Sequence, residues 1–192
     1  MVSILVDDEL LLRSWQVEDV PELFRATNES RQHLRPWLSW VDKTTKPEHT
    51  LQFIQMTQQQ LHAQEGLALG IFYKQHVIGG IGMHQWDHSA KRAFLGYWID
   101  KAHEGSGIIY KTMTRFIDFL FEKAGLNKLE IHYMPQNKRS AKVAERLGFK
   151  PEGMIRQSYI NNGIMHDMVI TGLLKTEWRP DKENSKPQQT SK

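Results

Sequence analysis

The spacing of apolar residues changes several times along the chain, and each change marks an element. A short strand is predicted over 10–14. Val20, Leu23, Phe24 and Thr27 then recur at helical spacing and predict a helix over 18–28. Residues 31–38 read as a second, short helical piece interrupted at Pro36. Thr45-Lys46-Pro47-Glu48 supplies a cap candidate, a first-turn proline and an early acid, and Leu51, Ile54 and Leu61 carry that pattern into a helix stopped near Gly66. From there the period shortens to two. Segments 67–74, 77–86 and 92–100 predict a β-meander joined by short polar turns. After His103-Glu104-Gly105-Ser106-Gly107 the helical period returns, with Ile109, Met113, Phe116, Ile117 and Leu120 on one face and a stop at Ala124-Gly125. A strand over 128–134 and a short helix over 138–146 follow. Two last strands, near 154–160 and 165–174, flank the turn signal Asn161-Asn162-Gly163. The order specifies an α/β chain with a mixed sheet, whose late strand–helix units are the place to look for a ligand.

Composition narrows this picture. The 192 residues, 40% hydrophobic and 24% charged, suit one domain with a real core and exclude disorder of the whole chain. The last apolar residue is Trp178, so 1–178 is read as a single domain and 179–192 as a mobile polar tail. No run approaches the roughly 18 apolar residues of a membrane helix, and the N-terminus meets Asp7, Asp8 and Glu9 too early for a secretory signal. There is no cysteine, which excludes disulfides, thiolate metal sites and a cysteine nucleophile and is compatible with a reducing cytosol. A cytoplasmic location is expected. The net charge of +3, with a pI near 9.0, is spread along the chain, so neither direct nucleic-acid binding nor a membrane partner is expected. The six tryptophans and eight methionines read as core and groove filling.

Three clusters could carry chemistry. The loop 103–109 lies between a predicted strand and an amphipathic helix. Glycines there let backbone amides approach an anion at the positive end of a helix, so the loop is either a phosphate cradle or a plain turn. It lacks the Gly-Lys-Ser/Thr ending of a P-loop, and Tyr110 stands where a dinucleotide fingerprint needs its third glycine. His84, Asp87 and His88 invite a metal reading, but at a strand end and turn their spacing does not converge, and no metal is expected. Arg35-Pro36-Trp37-Leu38-Ser39-Trp40 places two tryptophans close together, which are either core or the wall of a groove.

Asn137-Lys138-Arg139-Ser140 followed by Ala144-Glu145-Arg146-Leu147-Gly148-Phe149 resembles the Asn-x-x-Ser…Leu-Gly-Phe signature of the GNAT superfamily of acyl-CoA-dependent N-acyltransferases. Residues 104–109 resemble that family's pyrophosphate loop. Ala93-Phe94-Leu95-Gly96-Tyr97-Trp98-Ile99 resembles the Ala-Glu-Ile-Gly-Tyr-Trp strand of the branch holding the RimJ/RimL-type ribosomal-protein N-terminal acetyltransferases. Leu11-Leu12-Arg13, Glu152-Gly153 and Asn162-Gly163…Asp167…Leu173-Leu174 add to the likeness, which runs from about Leu10 to Trp178 in matching order.

The resemblance implies a GNAT fold, a mixed and mostly antiparallel twisted sheet flanked by helices, with acetyl-CoA as co-substrate. It implies an N-acetyltransferase acting by direct attack in a ternary complex, the favoured acceptor being a protein N-terminal amine of the ribosomal-protein type. A homodimer is left open. The alternatives are a polyamine or aminoglycoside acetyltransferase and a weakly catalytic acyl-CoA-binding module. By the same resemblance Gly105, Ser106, Gly107, Ile108 and Ile109 would cradle the pyrophosphate. Tyr97, Trp98 and Ile99 would lie along the thioester, and Asn137 and Ser140 would contact the pantetheine arm. Trp37 and Trp40, with Tyr159 opposite, would wall the acceptor groove.

Three features depart from the family pattern. Glu104 stands where Gln or Arg is usual and is read as a loop-edge residue turned outward, because a carboxylate repels pyrophosphate. Phe94 replaces the branch's strand glutamate, and Ala144 replaces the tyrosine that protonates the thiolate. Ser140 is then the remaining acid candidate, unless its hydroxyl only satisfies the helix start. His132 is the candidate base, since an imidazole of ordinary pKa about 6.5 can remove an ammonium proton. Glu130, on the same strand face, is the second choice, and Tyr133 points to the other face.

Overall fold

The structure, a computed structural model, describes residues 1–179. The expected polar tail, Arg179 apart, lies outside them. Strands β1 (Ser3–Leu5) and β2 (Leu10–Ser14) precede helices α1 (Val20–Glu29), α2 (Arg31–Leu34) and α3 (Pro47–Ala63). The meander β3 (Leu67–Tyr73), β4 (His76–Asp87) and β5 (Arg92–Ile99) follows, then α4 (Ile108–Glu122), β6 (Lys128–Tyr133), α5 (Lys138–Arg146), β7 (Lys150–Asn161) and β8 (Ile164–Leu174). Among the described residues eight strands form one sheet in the order β1-β2-β3-β4-β5-β6-β8-β7, antiparallel throughout except between β5 and β6.

Strand alternation sends side chains to two cores. On one face Leu69, Ile71, Ile81, Leu95, Leu129 and Ile131 pack with Met113, Phe116, Ile117 and Leu120 of α4 and Ala144 of α5. On the other, Phe72 and Val77 pack with Trp15, with Leu23 and Ala26 of α1 and with Ile54 of α3. Met113, Phe116, Ile117 and Leu120 of the α4 stripe are fully buried, and truncating a side chain such as Phe116 (0% exposed) would cost about 3–5 kcal/mol.

Most elements follow the apolar period, and the differences have local causes. β1 is an addition, a short edge strand paired with β2 from Ser3 opposite Arg13 to Leu5 opposite Leu11. α3 stops at Ala63 with Gln64 in the left-handed region (φ 56°), before Gly66 is reached. Gly66 instead passes so close to β4 that a Cβ there would sit 3.0 Å from the Met83 carbonyl oxygen. β7 begins at Lys150, ahead of the expected 154, because it is an exposed edge strand whose register shifts twice and whose apolar period is correspondingly weak. The Asn162-Gly163 turn joins β7 to β8 as expected, with both residues at positive φ (50° and 75°).

One irregularity positions everything that follows. The parallel pairing of β5 with β6 runs only from Arg92 opposite Lys128 to Leu95 opposite Ile131. Beyond that point β5 stays bonded to β4 (Tyr97 opposite Ile81, Ile99 opposite Gly79) and β6 stays bonded to β8 (His132 opposite Ile170). The sheet therefore opens into a V, and the facing backbone edges of the two strands lack ladder partners. No helix among the described residues is long and apolar enough to cross a membrane.

Candidate active site

The V widens into a cleft of about 1040 Å³. Strand parity divides it. Leu95 and Ile131 point to the α4/α5 face, so Tyr97 and Tyr133 do as well, whereas Phe94, Glu130 and His132 point to the face covered by the early helices.

The α4/α5 side has the features of an anion site. Gly105 (φ 77°) and Gly107 (φ 80°) hold the left-handed conformation, and a Cβ on either would meet no atom within 4 Å. The glycines are thus required by backbone angle and not by crowding. Gly107 caps α4, and its carbonyl accepts from the Lys111 amide at 3.1 Å. The amides of Gly107, Ile108 and Ile109 precede it, at the positive end of the helix and at the cleft. Ser106 differs from expectation. Its hydroxyl donates to the His103 carbonyl (2.5 Å) and its amide points to the same oxygen (3.4 Å), so it shapes the turn and does not line the cleft. Opposite the loop, α5 contributes Arg139, Lys142 and Arg146 to the lining, Arg146 lying 3.8 Å over the Tyr110 ring.

Glu104 also departs from the reading as an outward loop edge. Its carboxylate, with the side chain 15% exposed, is drawn inward among Lys101 Nζ (2.5 Å), the Arg139 guanidinium and His33 Nδ1 (3.7 Å). The Lys101 hydrogen bond holds its pKa below the usual value against the opposing effect of burial, helped by the nearby charges of His33, Arg139 and Lys101. Two cationic partners, Lys101 and Arg139, with His33 beside them, make an inward carboxylate tolerable where sequence spacing alone suggested repulsion.

Asn137 caps α5, its Oδ1 accepting from the Ser140 amide at 3.1 Å. The helix start is therefore served by Asn137, and the Ser140 hydroxyl is left for another partner. It meets Tyr97: the two hydroxyl oxygens are 2.9 Å apart, both at the cleft. Burial pushes the Tyr97 phenol up to about 12, the Ser140 hydrogen bond pulling the other way. Burial also raises Tyr133. Trp98 and Ile99 line the cleft along β5.

On the other face, His132 is the first residue of β6 past the last β5–β6 pair, which sets it at the apex of the V. Its Nε2 lies 2.8 Å from Glu130 Oε2 and its ring stands edge-on to Phe94, centroids 4.6 Å apart. Glu130 is buried, with Arg92 Nη1 at 3.5 Å and Lys128 Nζ at 3.4 Å, and does not itself reach the cleft. Burial raises its pKa, but the His132 hydrogen bond and the Lys128 charge outweigh this and leave it lowered, so the carboxylate is ionised. His84, across from Phe94 on β4, stacks on that ring at 6.0 Å and lines the cleft, its pKa lowered by burial and by His132. His88 instead stacks on Trp86 and meets the Gln64 carbonyl oxygen at 2.7 Å. The two histidines of the metal reading thus face different surroundings.

The early-helix side of the cleft is closed by the segment after α2 and the β7–β8 hairpin. Tyr159 Oη accepts from the Ser39 amide (3.0 Å) and donates to the Trp37 carbonyl (3.4 Å), while Asn161 Nδ2 donates to the carbonyls of Arg35 (3.1 Å) and Pro36 (2.9 Å). Trp37 and Tyr159 line the cleft; Trp40 does not, and packs edge-on against Trp98 at 6.0 Å. Among the lining residues Glu104 is the one carboxylate, and it lies at the loop end.

Spacing along the chain concealed two of these features. The Tyr97–Ser140 contact joins residues 43 apart, and His84 reaches the cleft only through the β4–β5 register. Strand parity counted from Leu95 was the available signal for Tyr97.

Comparison with known proteins agrees with this geometry. A family model described as an acetyltransferase (GNAT) domain matches residues 9–150. The YdaF protein of Bacillus subtilis (strain 168) is 31% identical over 183 residues, covering 95% of this chain and all of that one. The [Ribosomal protein uS5]-alanine N-acetyltransferase of Escherichia coli (strain K12) is 27% identical over 180 residues, 92% of this chain and 93% of that one. Among solved structures, the microcin C7 self-immunity acetyltransferase MccE, in complex with acetyl-CoA and AMP, superposes with a TM-score of 0.85 at 25% identity, over 88% of this chain and 94% of that one. A sheet split after Leu95, a glycine-capped helix at its mouth and a family match across most of the chain point the same way: this protein belongs to the GNAT acetyltransferase family and is an acetyl-CoA-dependent N-acetyltransferase.

Proposed function

We propose that residues 1–178 act as one catalytic domain that acetylates the α-amine of a protein N-terminus, a ribosomal protein being the favoured class of acceptor. The observation that carries this reading is that, among the described residues, no carboxylate lines the acceptor end of the cleft, where the lining is His84, Phe94, His132, Trp37 and Tyr159. A polyamine or an aminoglycoside presents several positive charges, and a site for it needs acids to offset their desolvation. A peptide N-terminus brings one amine and an otherwise neutral backbone. The uS5-alanine N-acetyltransferase relative, matched over 92% of this chain, supports the same acceptor class.

A thioester is already activated, so the chain needs no covalent nucleophile; it has to hold the carbonyl beside an amine and manage protons. The loop amides at 107–109 and the basic side chains of α5 suit the pyrophosphate and phosphates of acetyl-CoA, and the unpaired edge of β5 suits the amides of its pantetheine arm. An amide on that edge can polarise the acetyl carbonyl. His132 accepts the amine proton. With Glu130 accepting from Nε2–H, the neutral ring carries its free lone pair on Nδ1, so Glu130 orients the base and selects its tautomer.

The test is thiol release from acetyl-CoA over a panel of peptides with Ala or Ser at the N-terminus, their N-blocked counterparts, spermidine and an aminoglycoside. Turnover of the free peptides with no turnover of blocked ones is expected. Preferential turnover of spermidine or the aminoglycoside would refute the acceptor assignment.

A further inference from the structure

We propose that Tyr97 is a positioning residue for the leaving group: its hydroxyl donates to Ser140 Oγ, which turns the Ser140 O–H toward the departing thiolate. The inference rests on the coenzyme reading above, and it goes beyond that reading by assigning a role to a side chain outside the family's acid position, where Ala144 stands.

Four observations support it. The Tyr97 and Ser140 hydroxyls are 2.9 Å apart and both line the cleft. Ser140 is released from capping because Asn137 Oδ1 takes its amide, which also fixes the serine backbone at the mouth of α5. Strand parity puts this pair on the face opposite His132, so base and leaving-group donor approach the thioester from the two sides of the split. Lastly, the half-buried phenol, its pKa raised by desolvation, keeps its proton at working pH and acts as a donor throughout.

In the transfer step the amine lone pair forms the N–C bond and the C–S bond breaks, its pair leaving on sulfur. The amine proton passes to His132. The sulfur, stabilised by the Ser140 O–H, takes a proton from solvent on release, and His132 returns its proton to solvent. The sum is amine plus thioester giving amide plus thiol.

A hydroxyl aimed at sulfur must favour the thiolate over the thiol. Affinities for CoA and for desulfo-CoA are therefore measured by calorimetry across the thiol pKa, about 8.5 for a simple thiol, in the wild type, Tyr97→Phe and Ser140→Ala. The ultraviolet absorbance of the bound thiolate is followed in parallel, and folding is checked by thermal melting. For the wild type, CoA should bind about tenfold tighter above the thiol pKa than below it, the effect of one charge-assisted hydrogen bond. That preference should disappear in both variants, with desulfo-CoA affinity unchanged, and kcat should fall while KM for acetyl-CoA stays constant.

An equal thiolate preference in wild type and Tyr97→Phe would overturn the proposal. So would a loss of affinity shared by CoA and desulfo-CoA, which marks a packing role. Should Tyr97→Phe fail to fold, Ser140→Ala decides by the same readout. Failure of the wild type to bind either ligand is a separate result that removes the coenzyme reading itself.

Discussion

Replacing Gly107 by alanine separates backbone strain from coenzyme binding. Gly107 caps α4 at φ 80°, where an L-residue pays about 1–2 kcal/mol, and a Cβ there would meet nothing within 4 Å. The cost is thus conformational and not steric. For a chain of this length each kcal/mol lowers the melting temperature by about 2–4 °C. Gly125, beyond the far end of α4, provides the control: it sits at φ 69° with equally open surroundings and is not part of the cleft. Gly107→Ala and Gly125→Ala should therefore lose similar stability. Only the first should disturb the amides offered to the pyrophosphate. Losing one charge-assisted hydrogen bond costs about 1.5–3 kcal/mol, which is about 10- to 150-fold in Kd. Calorimetric titration of both variants with CoA, alongside thermal melts, measures the two effects separately. Wild-type CoA affinity in Gly107→Ala, or an equal loss in Gly125→Ala, would refute the assignment of the loop.

Further outcomes follow from the other side of the cleft. His132→Gln should lower kcat by about 10²-fold or more with KM for acetyl-CoA unchanged, while Glu130→Gln should lower kcat less; an unaltered kcat in both would return the pair to a structural role. Tyr159→Phe removes the bonds to Ser39 and Trp37, so stability should fall by about 1–2 kcal/mol and the acceptor KM should rise with CoA affinity unaffected; steady-state kinetics against a peptide checks this. The lowered pKa values of His33 and His84, both due first to burial, mean that the unfolded chain binds more protons than the folded one as pH falls through the ordinary histidine value of about 6.5. Stability should be full above that pH and decline below it, and His84→Phe should flatten the slope of melting temperature against pH.

The apolar period settled most of the architecture in advance. Helix α5 spans the predicted 138–146, and α4 keeps its stripe of Met113, Phe116, Ile117 and Leu120 because burial of that face is what forms the helix. The Asn162-Gly163 turn and the glycine loop were legible for a related reason: residues at positive φ are a local demand that composition records. The strand–helix order and several motifs in matching order, Asn137…Ser140…Phe149 with the loop 104–109 and the strand 93–99, were sufficient together to name the family.

What the linear pattern left open are contacts and register. The split in the sheet is a failure of β5 and β6 to pair beyond Leu95 and Ile131, and no residue between them announces it. The inward turn of Glu104 depends on Lys101, Arg139 and His33 arriving together from a loop, α5 and α2. The capping of α5 by Asn137 freed Ser140 for Tyr97, and that choice is made only when β5 and α5 come within hydrogen-bonding distance. Local spacing dictates which segments bury which faces, because that free energy is summed along the chain itself. The chemistry of the cleft is decided by groups distant in sequence, whose charges and protons respond only to the neighbours that the folded sheet brings to them.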